Sequence, residues 1–304
     1  MRYLMGCCIL GVLGIVCGFL AQTFAQSTSA TDAYKRGEYA TVRSLAEQGD
    51  ISALFCLGEM YAHGVGVPKD KSTAAAWYRR AAEKGHADSQ CNLGVMLDEG
   101  DGVPQDYVEA MTWLQKAALQ GDAKAMSNIG GMYRLGHGVP QDYEKAVYWY
   151  RRGAERGGAE AQCNLGNIYA QGLGVTLDCQ EAVNWYRKAA EQGFSLAQCN
   201  LGNMYLDGKG VARNLAEAAN WFQKAAERGT AQAQHNIGVC YYQGLGVSKD
   251  VVKAYAWFSL AATQEYPGSA RNCQILSSKM SAQQLSEAQQ LARKWKDAYE
   301  EPRH

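Results

Sequence analysis

Apolar residues recur along this chain with the spacing of amphipathic helices. Between Ala161 and Tyr169 they fall at i, i+4, i+7 and i+8, which places them on one face of an α-helix. Between Ala182 and Ala190 they fall at i, i+3, i+4, i+7 and i+8, which predicts a second helix with one apolar face. The pattern therefore predicts a pair of helices, which we call helix A and helix B.

Glycines and polar residues mark the ends of the two predicted helices. Gly172 and Gly174 lie between them, and because glycine adopts positive φ readily, we expect the first of them to end helix A. Asp178 stands where an N-cap of helix B is expected, and Glu181 three residues later completes a capping-box pattern. Gly193 is expected to end helix B, so the unit is a helical hairpin with a glycine-rich turn.

The hairpin occurs in six copies that follow one another at a constant step of 36 residues. A glycine in the middle of helix A and a tryptophan in helix B both keep this step without insertion or deletion. The glycines are Gly58, Gly94, Gly130, Gly166, Gly202 and Gly238, and the tryptophans are Trp77, Trp113, Trp149, Trp185, Trp221 and Trp257. Since one hairpin cannot bury its apolar face alone, the sequence predicts an all-α solenoid in which neighbouring repeats stack.

The repeated glycine inside helix A requires a reason, because glycine in a helix interior costs about 1 kcal/mol relative to alanine. We expect it to allow helices A and B to approach closely. The tryptophan of helix B is predicted to fill the same seam with a large buried surface.

The ends of the solenoid are expected to differ from its middle. Residues 26–50 are predicted to form an N-terminal half-repeat cap, because they end like a helix B but lack about one turn and the tryptophan. Residues 51–266 hold the six repeats. Residues 267–304 are predicted to form a vestigial repeat followed by a capping helix over Ser281–Glu301.

The first residues have the pattern of a secretory signal peptide. Arg2 is followed by the apolar run Leu4–Ala21 and by small residues up to Ala25, so cleavage is predicted after residues 1–25. Export to the periplasm or outside the cell follows from this interpretation. The alternative is an uncleaved anchor, since the run reaches the lower length limit for crossing a bilayer. Contact with a membrane is then expected only through this leader.

Charge and motifs argue against nucleic acid binding and against catalysis. The chain has 30 basic and 30 acidic residues, and a neutral balance does not favour a phosphate backbone as partner. No serine is followed three residues later by lysine, the spacing that serine β-lactamases use. The five histidines do not stand at metal-ligand spacing, and the glycine-rich turns follow helices rather than strands. We therefore predict a protein that is not an enzyme and has neither a metal nor a cofactor.

The repeat resembles a known family. The stretch "AQCNLGNMYLDGKGVARNLAEAANWFQKAAERG" (Ala197–Gly229) is similar to the Sel1-like repeat, a relative of the tetratricopeptide repeat, and the resemblance extends from about Asp32 to Glu301. It implies a right-handed α/α superhelix that serves as an adaptor in protein complexes or signalling. Many bacterial members are exported, so the resemblance implies a scaffold of the envelope or of host contact. A membrane-anchored spacer is the alternative if the leader is retained.

The resemblance also implies that a protein or peptide partner lies along a concave face lined by helix A. Outward positions there vary between copies, as expected for a surface that recognises a partner. The predicted contact residues are Glu59, Asp98, Arg134, Asn167, Asn203 and Tyr242.

An asparagine precedes the Leu/Ile-Gly pair of helix A in five copies, namely Asn92, Asn128, Asn164, Asn200 and Asn236. One interpretation is a row of amides that binds a peptide backbone. The other, which the regular recurrence favours, is hydrogen bonding between neighbouring repeats.

Cysteine is frequent, with ten residues of which three (Cys7, Cys8 and Cys17) lie in the leader. Cysteine-rich relatives have been called β-lactamases, which leaves a cell-wall hydrolase as an alternative function. The resemblance implies that such relatives pair a helix A cysteine with one in the preceding helix B, where this chain has alanines such as Ala82, Ala154 and Ala190. We therefore expect few or no disulfides and mostly buried thiols, while a solvent-facing thiol among Cys91, Cys163 and Cys199 stays open.

Overall fold

The computed structural model describes residues 29–300, with side chains up to residue 298. This part of the chain contains sixteen α-helices and no strand, which confirms the predicted all-α solenoid. No helix within it combines the length and the apolar character that a bilayer crossing requires. The predicted leader, residues 1–25, lies outside the described residues, and the predicted superhelical hand stays a prediction.

Twelve of the helices correspond to helix A and helix B of the six repeats, as the predicted hairpin requires. The pairs are α3 (Ile51–His63) and α4 (Lys71–Glu83), α5 (Ala87–Glu99) and α6 (Tyr107–Leu119), α7 (Ala123–Leu135) and α8 (Tyr143–Glu155), α9 (Ala159–Gln171) and α10 (Cys179–Glu191), α11 (Ser195–Asp207) and α12 (Leu215–Ala226), and α13 (Ala231–Gln243) and α14 (Val251–Thr263). We number the repeats 1 to 6 in this order.

Two helices precede the repeats and two follow them. α1 (Ala30–Lys35) and α2 (Tyr39–Glu47) come first, and α2 has 9 residues where a full helix B mostly has 13. α15 (Ser269–Ser277) and the 19-residue α16 (Ala282–Glu300) come last. The Trp295 ring of α16 stacks on Trp257 of repeat 6 with the ring centroids 4.1 Å apart. α16 therefore covers an aromatic surface of the last repeat, as expected of a cap.

The chain divides into two compact units, one ending at Trp113 and the other beginning at Leu114, so the boundary falls inside α6. In the first unit, Leu54, Leu57 and Met60 of α3 belong to a core that α1 and α2 also contribute to. In the second unit, neighbouring helices from α7 onward share a series of core clusters built from alanines and aromatic residues. Each unit thus buries its apolar faces between consecutive hairpins.

The helix ends follow the predicted capping residues with one difference. Gly172 has a left-handed backbone with φ 68°, and Asp178 Oδ1 accepts the Glu181 backbone N–H over 2.9 Å. The backbone N–H of Asp178 donates to the Tyr169 carbonyl of helix A over 2.9 Å. Since that donor is already bonded, the reciprocal bond from the Glu181 side chain, which the capping box predicts, does not form. Glu181 accepts the Asn184 amide instead.

The helix A glycine does mark a close approach, but the residue that packs against it is not the predicted tryptophan, although Trp113, Trp185 and Trp257 are buried. A Cβ at Gly166 would lie 2.6 Å from Cε1 of Tyr186, and a Cβ at Gly130 would lie 2.7 Å from Cδ1 of Tyr150. The ring in the seam therefore belongs to the residue after the tryptophan. Tyr150 is 1 % exposed, whereas Trp149 beside it is only half-buried, because neighbouring helix positions point about 100° apart.

Candidate protein-binding face

The helix A rows of neighbouring repeats are joined by side-chain amides. Asn200 Nδ2 donates to Asn167 Oδ1 over 3.1 Å, and Asn236 Nδ2 donates to Asn203 Oδ1 over 3.3 Å. In the first unit Asn92 donates in the same way to Glu59 Oε1 over 3.1 Å. Donor and acceptor are 33 residues apart in each case, so these asparagines bond one repeat to the next. The inter-repeat interpretation of these asparagines is confirmed, and we call the set the amide ladder.

Two asparagines of the series bond differently. Asn164 Nδ2 donates to Ser127 Oγ over 3.2 Å, which also links repeat 4 to repeat 3. Asn128 Nδ2 donates to the Lys124 carbonyl within its own helix over 2.9 Å. The ladder bond over 33 residues is therefore present in repeats 2, 5 and 6 and replaced in repeats 3 and 4.

The predicted contact residues Asn167 and Asn203 are the acceptors of the ladder. Asn167 Oδ1 also accepts the Tyr186 hydroxyl over 2.8 Å, so two donors hold its amide oxygen. Both side chains are half-exposed, and neither Nδ2 donates a hydrogen bond within residues 29–300. Their oxygens thus serve the fold, while their amide nitrogens are available to a partner.

Glu59 and Tyr242 are differently engaged. Glu59 Oε1 accepts both the Tyr78 hydroxyl and the Asn92 amide, and its other oxygen lies 3.3 Å from His63 Nε2. Tyr242 is half-exposed, with the Lys249 ammonium 5.8 Å from its ring centroid. The acceptor capacity of Glu59 is therefore largely used inside the protein.

Asp98 and Arg134 occupy equivalent outward positions in repeats 2 and 3. Asp98 is half-exposed near the end of α5, and Arg134 is exposed near the end of α7. Within its unit, Arg134 brings a positive charge next to the ladder of repeat 4.

A cavity of about 160 Å³ joins Arg134 to Asn167 on this face. Its lining residues are Arg134, Tyr150, Asn164, Asn167, Ile168, Gln171 and Leu173. Arg134 Nε donates to the Tyr150 hydroxyl over 3.4 Å, and burial raises the pKa of Tyr150, so this hydroxyl keeps its proton. No carboxylate is among the lining residues, and a guanidinium is. The structure therefore brings together two of the six predicted contact residues at one cavity, which the Arg134 guanidinium lines.

Comparison with known proteins identifies the repeat. The family model of the Sel1 repeat matches residues 51–86, 87–122, 123–158, 159–194, 195–230 and 231–266. The chain is a Sel1 repeat protein. The six matches have the boundaries of the six hairpins described above, and they cover most of the chain.

Among solved structures, a Sel1 repeat protein from Oxalobacter formigenes is 34% identical, with a TM-score of 0.71, over 77% of this chain and 98% of that one. A protective antigen of uropathogenic Escherichia coli is 33% identical over 90% of this chain and 68% of that one, with a TM-score of 0.49. An immunity protein from Pseudomonas aeruginosa, 19% identical with a TM-score of 0.53 over 72% of this chain and 83% of that one, shares the fold. No curated protein matches the chain.

Within residues 29–300, the thiols of this Sel1 repeat protein lie mostly inside the fold. Cys91, Cys163 and Cys199 are at most 1 % exposed, so the solvent-facing thiol that the sequence left open is not present at these positions. Burial raises the pKa of Cys163 and of Cys199 to about 12. Asn200 and Asn236 lie within 3.9 Å of these two sulfur atoms, respectively, so the thiols pack behind the amide ladder.

The sequence did not predict the polar contact between His235 and Ser269. His235 Nδ1 lies 2.8 Å from Ser269 Oγ, which joins repeat 6 to α15. Ser269 is fully buried, and burial lowers the pKa of His235, so the pair is a neutral contact inside the C-terminal cap. Among residues 29–300, His, Cys, Asp and Glu do not form any group of three or more suited to a metal ion.

Proposed function

We propose that this Sel1 repeat protein is an exported, non-catalytic scaffold that binds a protein or peptide partner along the helix A face of repeats 3 to 5. Sel1 repeat proteins generally mediate protein–protein interactions and are typically non-catalytic. The observation that supports the binding face is the pair of unused amide donors, Asn167 Nδ2 and Asn203 Nδ2, beside the charged cavity at Arg134.

These donors suit a peptide because their orientation is set before the partner arrives. The amide oxygens of Asn167 and Asn203 are held by Asn200 and Asn236 of the following repeats. A held side chain loses less conformational entropy when it binds, so its hydrogen bond contributes more to affinity. A peptide segment that crosses the face presents backbone carbonyls as acceptors, and the amide nitrogens can donate to them.

Export is proposed from the leader sequence. Sequencing the N-terminus of the protein isolated from cells tests this part of the proposal. A first residue near Gln26 supports export with cleavage, whereas a retained Met1 in a membrane fraction favours the anchored spacer.

Site-specific photo-crosslinking tests the binding face. The photoreactive residue p-benzoylphenylalanine is introduced at Leu206 or Tyr242 on the helix A side, and at Tyr148 on helix B as a matched aromatic control that is 54 % exposed. Crosslinking in producing cells, followed by mass spectrometry, should yield one partner from the two helix A positions and not from Tyr148. A partner crosslinked from Tyr148 alone would place binding on helix B and contradict the proposal.

A further inference from the structure

Repeat 3 differs from repeats 4 and 5 at the position that accepts the ladder bond. Where these repeats have Asn167 and Asn203, repeat 3 has Gly131. A Cβ at Gly131 would have one atom within 4 Å in its surroundings, the Tyr150 hydroxyl at 3.8 Å. The missing side chain therefore leaves open space next to the Tyr150 hydroxyl, and Tyr150 also lines the cavity of about 160 Å³.

The absence of this side chain changes the hydrogen bonds around the cavity. In repeat 4 the Tyr186 hydroxyl donates to Asn167, but the Tyr150 hydroxyl of repeat 3 has no such acceptor among residues 29–300. Asn164, which stands 33 residues after Gly131, donates to Ser127 Oγ at the position where Asn200 lies against the Cys163 sulfur, and it lacks the further bond that Asn200 makes to Asn167. Repeat 3 thus leaves a hydroxyl donor without the partner that its counterpart has.

Donor groups of Arg134 and Asn167 line the cavity beside the Tyr150 hydroxyl, together with the side-chain amides of Asn164 and Gln171. The terminal nitrogens of Arg134 make no hydrogen bond within residues 29–300, and neither does Asn167 Nδ2. The Asn167 oxygen is occupied by Tyr186 and Asn200, so this residue offers the ligand only its nitrogen. A site built from a guanidinium, a hydroxyl and an amide nitrogen is complementary to an anion with planar oxygens, which is a carboxylate.

We propose that this cavity, which we call the Gly131 cavity, binds the side-chain carboxylate of an aspartate or glutamate of the partner; the proposal rests on the proposed function. The cavity is large enough for one side chain. Ile168 and Leu173 in its lining can contact the methylene groups of the bound aspartate or glutamate. The row of donors continues past the cavity to Asn203, so the bound segment passes over this site instead of ending in it. For that reason we assign the carboxylate to a side chain and not to a chain terminus.

A small-molecule titration of the full chain tests the Gly131 cavity without knowledge of the partner. The probes are N-acetylglutamate N-methylamide and its glutamine counterpart, which differ only in the carboxylate. The readout is the ¹⁵N–¹H resonance of Arg134 Nε, assigned as the signal that is lost in Arg134→Lys. We expect a saturable shift with the glutamate probe and none with the glutamine probe at the same concentrations.

The key variant is Gly131→Asn, which reproduces the residue of repeats 4 and 5. Its side chain should accept from Tyr150 and Asn164, as Asn167 accepts from Tyr186 and Asn200, and so fill the cavity while preserving the fold. Binding of the glutamate probe should weaken about tenfold or more, because a charge-assisted hydrogen-bonding site is closed. Gly131→Ala is the control, since a single methyl group leaves most of the cavity open and should preserve binding.

Three results would overturn the proposal: equal shifts with both probes, an affinity unchanged by Gly131→Asn, or tighter binding of N-acetylglycine, whose carboxylate mimics a chain terminus. The crosslinking experiment separates this proposal from the proposed function. Partner crosslinks from Leu206 and Tyr242 without probe binding would overturn the carboxylate site alone. If neither the helix A crosslinks nor binding of the glutamate probe is observed, the proposed binding face is wrong as well.

Discussion

Asn200 of repeat 5 donates its amide to Oδ1 of Asn167 in repeat 4 over 3.1 Å. The same oxygen accepts the Tyr186 hydroxyl, so one side chain ties together a helix A, its own helix B and the next repeat. The amide nitrogen of Asn167 takes no part in this bonding. The Oδ1 atom of Asn167 therefore stabilises the fold, while its Nδ2 atom can donate to a partner. A substitution that changes one of these atoms and keeps the other separates the two roles.

Asn167→Ala should lower the free energy of unfolding, because Tyr186 and Asn200 lose their shared acceptor. Leaving partly buried donors without a partner costs about 1–3 kcal/mol. Asn167→Asp should be close to wild type at neutral pH, since a carboxylate still accepts both bonds, as Glu59 does from Tyr78 and Asn92. Urea unfolding followed by circular dichroism checks this prediction. Equal midpoints for the Ala variant and wild type would show that the amide ladder does not stabilise the fold.

Substitution by alanine should change the stability of the protein in opposite directions at the adjacent glycines Gly130 and Gly131. Gly130→Ala places a Cβ 2.7 Å from the Tyr150 ring, and overpacking of this kind costs about 1–3 kcal/mol. Gly131→Ala meets only the Tyr150 hydroxyl at 3.8 Å and should stabilise the helix by up to about 1 kcal/mol. The measurement is the thermal midpoint of each variant. A destabilising Gly131→Ala would show that the space beside Tyr150 is not open.

Tyr150→Ala should destabilise the protein more than Trp149→Ala. Tyr150 is 1 % exposed and fills the seam against Gly130, so its truncation leaves a cavity at a cost of about 3–5 kcal/mol. Trp149 is half-buried and stacks against the Arg152 guanidinium at its surface, so less buried area is lost. Equal losses in urea unfolding, or a larger one for Trp149, would contradict the assignment of the seam residue.

The folded protein should protect Cys163 and Cys199 from thiol reagents. Burial raises the pKa of each to about 12, so neither forms the reactive thiolate near neutral pH. Labelling with iodoacetamide at pH 8 and peptide mass mapping should leave both unmodified until denaturant is added. Rapid labelling of either in the folded state would show that the thiol is accessible.

The raised pKa values of Cys163 and Cys199 also predict how the stability of the protein depends on pH. Above about pH 9 an unfolded thiol loses its proton while the folded one keeps it up to about pH 12, so the unfolded state is favoured. The stability contributed by each thiol should therefore be intact below pH 9 and fall by at most about 1.4 kcal/mol per pH unit above it. A Cys163→Ala, Cys199→Ala variant should lose stability less steeply over that range than wild type does.

Much of the fold could be predicted because the repeat displays it six times. Apolar spacing identified both helices, and the glycine and aspartate positions marked their ends, as Gly172 and Asp178 show. The caps were predicted from loss of the repeat pattern, although α1 (Ala30–Lys35) was not. These features are local, so periodicity and capping chemistry are enough to reveal them.

The errors concern contacts between helices. Trp149 and Tyr150 are both aromatic and both belong to repeated positions, so the sequence does not show which ring faces Gly130. The capping box failed for the same reason: the Asp178 N–H finds the Tyr169 carbonyl of the other helix, and local spacing does not reveal that acceptor.

The candidate site could be predicted only in part. Variation at outward positions singled out Arg134 and Asn167, and the structure places both at one cavity. The cavity itself was missed, although Gly131 is a visible exception at a position that carries a side chain in the other five repeats. Recognising it requires knowing that this position accepts a bond from the asparagine of the next repeat, as Asn167 accepts from Asn200, which is a contact over 33 residues.

In the proposed function, the partner contacts the helix A face through donors such as Asn167 Nδ2 and Asn203 Nδ2. The most direct measurement is the Kd of the crosslinked partner, once purified, for wild type and for the double variant Asn167→Asp, Asn203→Asp, which keeps the ladder acceptors and removes both donors. With an unchanged unfolding midpoint, we predict a Kd at least about tenfold weaker, as expected for the loss of two hydrogen bonds. An unchanged Kd in this variant, with weakened binding in the double variant Arg151→Ala, Arg187→Ala, would place the partner on helix B instead.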